Sequence, residues 1–132
     1  MEIVSQLSVF VANEPGILAN ICGSLSDEKI SLRGISVVDH TDHALIRLVV
    51  SDPSRAAHLL GESGLFVIES EVIAVSISKG NGSLEKILKI LAAGELNVLY
   101  LYGTEPASSA PAVIFLNTSD NLAALELLRK KF

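Results

Sequence analysis

Two groups of residues in this 132-residue chain have types and spacing that could do chemistry. The first is Asn13-Glu14-Pro15-Gly16-Ile17-Leu18, which joins an alternating apolar run to a run of helical spacing. Proline presets φ for a first helical turn and has no N–H to lose, while glycine allows a sharp turn or a close approach. The N–H groups that open the next helix would then point outward, where a small anion or a carboxylate can sit. The bland alternative is that Asn13 caps the helix and Glu14 is solvated. The second group is Asp39-His40-Thr41-Asp42-His43, the densest set of potential metal ligands. A hairpin there could converge His40, Asp42 and His43 on a cation, but a short solvated turn has the same composition, and no metal is expected. Cys22 falls on the apolar face of its helix and reads as a buried packing thiol rather than a nucleophile. Tyr100 and Tyr102 share one strand face and either border a pocket or fill one. No nucleophile–base pair, carboxylate dyad or phosphate cradle emerges, so the expectation is a non-enzyme without a cofactor.

The elements that must position these residues follow from periodicity. Ile3 to Ala12 alternates, with Leu7, Val9 and Val11 on one face, as in a half-buried strand. From Gly16 the spacing is helical, with Ile17, Leu18, Ile21, Cys22 and Leu25 on one side and an end near Lys29. Ile30 to Val38 and His43 to Val50 read as strands joined by the polar hairpin. Ser51-Asp52-Pro53-Ser54 is N-cap chemistry for a short helix over Arg55 to Ser63, stopped by Gly64, and Leu65 to Ser78 is strand again.

Strand, helix, strand, strand, helix, strand is the ferredoxin-like order, an α+β arrangement with an antiparallel sheet and helices on one face. The pattern then starts over. A shift of 66 places Gly16 on Gly82, Leu18 on Leu84, Ile21 on Ile87 and Leu25 on Leu91. A shift of 68 places Ala44, Ile46 and Leu48 on Ala112, Ile114 and Leu116, and Ser51-Asp52 on Ser119-Asp120. The two-residue difference falls in the second hairpin, Thr104 to Pro111, where insertions are tolerated. An internal repeat that keeps its core positions and varies its loop argues for two copies, residues 1–70 and 71–132. Phe132 aligns with Gly64, so the second copy lacks its last strand. Glu71 to Ser78 is then an edge that needs cover from the other copy or a second chain. Phe10, Val49 and Phe115 should lie on the helix-free face beside Arg47 and Asn117, a composition that predicts sheet packing or dimerisation.

Composition narrows the function classes. A hydrophobic content of 49% suits a packed core, and a net charge of −5 with ten scattered basic residues gives a nucleic acid nothing to bind. One cysteine excludes an internal disulfide and a thiolate zinc cage. No apolar run reaches the length of a membrane span, and Met1-Glu2-Ile3 leads into a strand without a basic leader. The default expectation is a soluble cytoplasmic protein with no membrane partner.

Two βαββα(β) copies, an N-x-P-G-x-L turn after the first strand and an S-D helix start after the third together resemble the ACT domain, over the whole chain. The resemblance is to small stand-alone tandem ACT proteins. It implies an amino-acid-binding regulatory or sensor protein, with the ligand at an interface between two ACT domains. Carried over by position, it puts the ligand's carboxylate on the main-chain N–H groups of Gly16, Ile17 and Leu18, beside Pro15. It puts the ammonium near Asn13 or Glu14. Ile35, Ser36, Val37 and Val38 would form an opposing wall from a neighbouring domain. In the second copy Asn81, Gly82, Ser83 and Leu84 are the corresponding candidates, although Lys79 stands where Asn13 stood and the proline is missing. The expected partners are a small-molecule amino acid, a second copy in a homodimer and, as a further candidate, an enzyme of amino-acid metabolism. The alternative is a ligand-free interaction scaffold, the regulatory subunit of such an enzyme.

Overall fold

The computed structural model describes residues 1–78, 84–104 and 110–132. Candidates Asn81, Gly82 and Ser83 and the tip of the second hairpin lie outside the described residues. The elements run β1 (Glu2–Ala12), α1 (Ile17–Asp27), β2 (Leu32–Asp39), β3 (His43–Val50), α2 (Pro53–Glu62) and β4 (Phe66–Ile77). They continue with α3 (Leu84–Ala93), β5 (Val98–Gly103), β6 (Ala112–Thr118) and α4 (Asn121–Lys131). The chain packs as two compact units, Ser5–Ser70 and Met1–Val4 together with Glu71–Phe132.

In the unit Ser5–Ser70 the strand order is β2-β3-β1-β4. The antiparallel register sets Leu7 opposite Leu48 and Val9 opposite Ile46, so the alternating apolar residues of neighbouring strands share one face. Ile21 and Leu25 of α1 and Ala56 and Leu60 of α2 close over that face to complete the core. The other unit repeats this with the order β1-β4-β6-β5. Ile73 and Val75 of β4 meet Leu116 and Ile114 of β6, beneath Ile87 and Leu91 of α3 and Ala124 and Leu128 of α4.

The duplication extends to the caps. Asp52 accepts from the Arg55 N–H at 3.2 Å and Asp120 from the Ala123 N–H at 3.1 Å, each satisfying an orphan donor of its helix's first turn. The preceding serines act alike: Ser51 Oγ accepts from the Ser31 N–H at 2.9 Å and Ser119 Oγ from the Asn97 N–H at 3.2 Å. At the C-terminus of α1, Lys29 has φ 59, its N–H donates to the Ser26 carbonyl, and the Ile30 N–H donates to Leu25. In α3 the same pattern uses Glu95 (φ 59) onto Ala92 and Leu96 onto Leu91. This is the two-bond, left-handed helix stop that usually carries glycine. A left-handed non-glycine residue costs about 1–2 kcal/mol, part of which glycine returns as unfolded-state entropy. Lys29→Gly is therefore expected to stabilise the protein by roughly 0.5–1 kcal/mol, read as a higher urea midpoint at unchanged slope.

Cover for part of the edge at Glu71 to Ser78 comes from the beginning of the chain. Met1–Val4 belong to this unit, β1 is the neighbour of β4, and Ile3 packs on the unit's core. Arg129 Nη2 also donates to the Met1 carbonyl at 3.4 Å. On the sheet face away from the helices, Val49 and Phe115 are 1% and 3% exposed within the single chain, so a second chain is not needed to bury them. Phe115 lies against Tyr102 with ring centres 5.4 Å apart, and the more exposed Phe10 lies 5.6 Å from the ring of Phe66.

Candidate functional site

The turn after β1 is built by its neighbours. The last paired residue, Ala12, faces His43 across the ladder, and the chain leaves the sheet at Asn13. The Asn13 N–H donates to the Asp42 carbonyl at 3.4 Å, and its Nδ2 donates to Asp39 Oδ1 at 2.8 Å and to the Thr41 carbonyl at 3.3 Å. Asn13 therefore clamps the turn to the β2–β3 hairpin and does not cap α1. The cap position is Gly16, left-handed at φ 89 and ψ −15, and among the described residues no side chain caps the helix's first turn. No acidic residue occupies that turn either. The opening of α1 thus keeps its partial positive charge and its outward donors unsatisfied by protein side chains.

Asn13, Glu14, Pro15 and Gly16 are exposed, Ile17 is half-buried and Leu18 is 38% exposed. A Cβ added at Gly16 would meet nothing within 4 Å. The fold brings this turn to the end of the sheet where β2 finishes and β3 begins. Ile35 and Val37 stand opposite Leu48 and Ile46 and so point to the helix side of the sheet, whereas Ser36 and Val38 stand opposite Arg47 and Leu45 and point to the other. A molecule lying on one face of β2 meets two of these four side chains. Because among the described residues β2 pairs only with β3, its outer backbone edge has no neighbour there, and Ile35 and Val37 remain 38% and 50% exposed.

The hairpin has its own order. Asp39 Oδ1 accepts from the Thr41 N–H at 2.9 Å, a two-residue Asx turn that holds Thr41 at φ 74. The rings of His40 and His43 stack with centres 5.0 Å apart and planes at 14°, and His43 Nδ1 lies 2.8 Å from Asp42 Oδ1. The hydrogen bond with His43, followed by the one from its own backbone, holds the Asp42 carboxyl below the usual carboxylate range. A lowered carboxyl pKa favours the fold above the unfolded value, and that contribution disappears as pH falls through the folded one. Among the described residues no three His, Cys, Asp or Glu side chains converge as a metal site requires.

Other candidates have simpler roles. Cys22, expected to be buried, is half-buried beside an open cleft formed with Leu25, Lys29 and Leu32. Its helix face turns from core toward surface between Ile21 and Cys22. Tyr102 packs on Phe115, and Leu84, the described member of the second candidate set, opens α3 half-buried. The Asp39 and Thr41 contacts to Asn13 were missed by motif reading. An acidic residue two places before a backbone donor in a polar hairpin was the available signal for the Asx turn.

Two units of ferredoxin-like order, each with helices over one sheet face, define a duplicated α+β module. The chain belongs to the family of ACT domain pairs, whose sequence profile matches residues 1–129. The fold is similar to that of a protein from Bacteroides thetaiotaomicron (28% identity, TM-score 0.89), with 98% of this chain and 88% of that one aligned. It is also similar to the ligand-free regulatory subunit of aspartate kinase from Thermus thermophilus (15% identity, TM-score 0.69), covering 100% and 98% of the two chains. E. coli aspartokinase III in complex with lysine and aspartate aligns at 19% identity and a TM-score of 0.53, over all of this chain and 32% of that one. No functionally curated protein matches the sequence. Among the described residues no helix is long and apolar enough to cross a membrane.

Proposed function

We propose that this ACT domain pair is a non-catalytic amino-acid sensor. The amino acid's carboxylate binds the main-chain N–H groups of Gly16, Ile17 and Leu18, and its ammonium meets the side-chain carbonyl of Asn13. The observation that carries this reading is the exposed opening of α1 at Gly16, which no side chain among the described residues caps. Ile35 and Val37 supply apolar wall from the open edge of β2 in a second copy of the chain, with Ser36 and Val38 contributing backbone only. Binding regulates because the assembled and separated forms then differ in affinity for the amino acid. Family membership and the fold shared with aspartate kinase regulatory subunits support a regulatory role.

Titration calorimetry against the twenty amino acids, beginning with lysine and aspartate, tests the reading. One or a few are expected to bind with a Kd of millimolar or tighter, and a flat response across the panel would contradict it. Gly16→Val is expected to weaken binding at least about tenfold, because a β-branched residue at φ 89 forces the turn to rearrange and misaligns charge-assisted hydrogen bonds. Gly23→Ala, on the same helix and with open space around it, should leave affinity unchanged.

The scaffold reading has its own support in Phe66 and Ile68, which are 64% and 45% exposed on β4. Under that reading an affinity-tagged chain recovers one fixed enzyme of amino-acid metabolism regardless of amino-acid supply.

A further inference from the structure

An asparagine side chain is nearly symmetric in shape and opposite in chemistry at its two ends: the NH2 donates, the carbonyl oxygen accepts. Which end faces a ligand is decided by what holds the other. In this protein both Nδ2 hydrogens of Asn13 are committed, one to Asp39 Oδ1 at 2.8 Å and one to the Thr41 carbonyl at 3.3 Å. Asp39 is kept as an acceptor in turn, because the same oxygen takes the Thr41 N–H at 2.9 Å. The Asn13 carbonyl oxygen has no donor among the described residues, and the side chain is exposed beside the open turn.

We propose that Asp39 is a positioning residue for amino-acid recognition, which fixes the Asn13 amide so that its carbonyl oxygen faces the ammonium of the bound molecule. This rests on the sensor reading above and adds the origin of selectivity for the amino group. With the amide reversed, NH2 hydrogens would oppose an ammonium and the contact would turn repulsive. Asp39 acts through Asn13 and its turn, so its oxygen matters more than its charge. Glu14 and Asp42 are the other acidic side chains of this turn and hairpin, and neither bonds the Asn13 amide.

The test compares wild type, Asp39→Ala and Asp39→Asn in titration calorimetry. The tightest-binding member of the amino-acid panel is set against the carboxylic acid that lacks its α-ammonium, for valine 3-methylbutanoate. Wild type is expected to prefer the amino acid by tenfold or more, the scale of one charge-assisted hydrogen bond. Asp39→Ala is expected to shrink that preference to within about threefold, chiefly by weakening the amino acid. Asp39→Asn keeps an acceptor oxygen for both donors and should retain the wild-type preference. A full preference in Asp39→Ala overturns the proposal, as does an equal loss for both molecules, which would mark a merely structural role. Loss in Asp39→Asn as large as in Asp39→Ala overturns it in favour of direct charge attraction. If wild type binds no member of the panel, the sensor reading fails and the inference fails with it, an outcome distinct from the others. A readout without any added molecule is the Asn13 side-chain amide in a nitrogen–proton correlation spectrum. Its two hydrogens should be shifted and slow to exchange in wild type and Asp39→Asn, and not in Asp39→Ala.

Discussion

Leu48→Ala and Leu116→Ala are each expected to lower the unfolding free energy by about 3 kcal/mol or more, within the range seen for leucine truncation in a packed core. The two residues occupy the same place in the two copies. Each is on a strand at the centre of its unit's core, 0% and 1% exposed. Leu48 sits opposite Leu7 and Ile35 across its two ladders, and Leu116 sits opposite Ile73 and Leu101. The neighbours are bound in the sheet and under the helices, so the space left by three lost carbons cannot collapse fully. A domain is stable by only about 5–15 kcal/mol, so either variant should show a much lower urea midpoint in circular dichroism. Similar losses from the two variants are the energetic signature of the duplication. A loss below about 1 kcal/mol in either would mean that the position is not core.

A chain that begins at Ser5, behind an initiator methionine, is the second variant with a large expected effect. It removes the strand segment that covers β4 in the unit Glu71–Phe132, takes Ile3 from that unit's core and deletes the Met1 carbonyl that accepts from Arg129. Burial of one isoleucine side chain and a few strand hydrogen bonds together contribute roughly 3–5 kcal/mol. The loss should fall first on the unit that owns the four residues. In hydrogen exchange, the amides of Glu71–Ile77, α3 and α4 should lose protection while those of β3 and α1 keep theirs. An uncovered strand edge also recruits other chains, so light scattering should show self-association that wild type lacks. Unchanged protection in β4 would show that the first four residues contribute nothing to that unit.

Much of this architecture was legible because its signals are local. Helical spacing placed Ile21 and Leu25, and Ile87 and Leu91, on buried faces in both copies. The Ser-Asp pairs at 51–52 and 119–120 announced two caps, and both are made. Periodicity is silent where one strand serves two units. Residues 2–12 form one continuous strand with no glycine or proline to divide it, so no turn signal says that Met1–Val4 join a different unit from Ser5–Ala12. The same limit hid the partner of Asn13, because residues 13 and 39 meet only once β1, β3 and β2 are side by side. The helix stops at Lys29 and Glu95 were masked for another reason: each puts a charged side chain where glycine is the usual sign. The candidate turn itself was legible as a Pro-Gly join. Its exposure and its lack of a side-chain cap required knowing that Asn13 is engaged elsewhere.

The proposed binding site is the open first turn of α1, where the carboxylate of an amino acid is received. The most direct measurement is a nitrogen–proton correlation spectrum of the labelled protein, titrated with the amino acid that binds most tightly in calorimetry. Saturable shifts are expected in the amides of Gly16, Ile17 and Leu18, with a midpoint equal to the calorimetric Kd, and they should be lost in Gly16→Val. Saturable shifts confined to other residues, with those three amides unmoved, would contradict it.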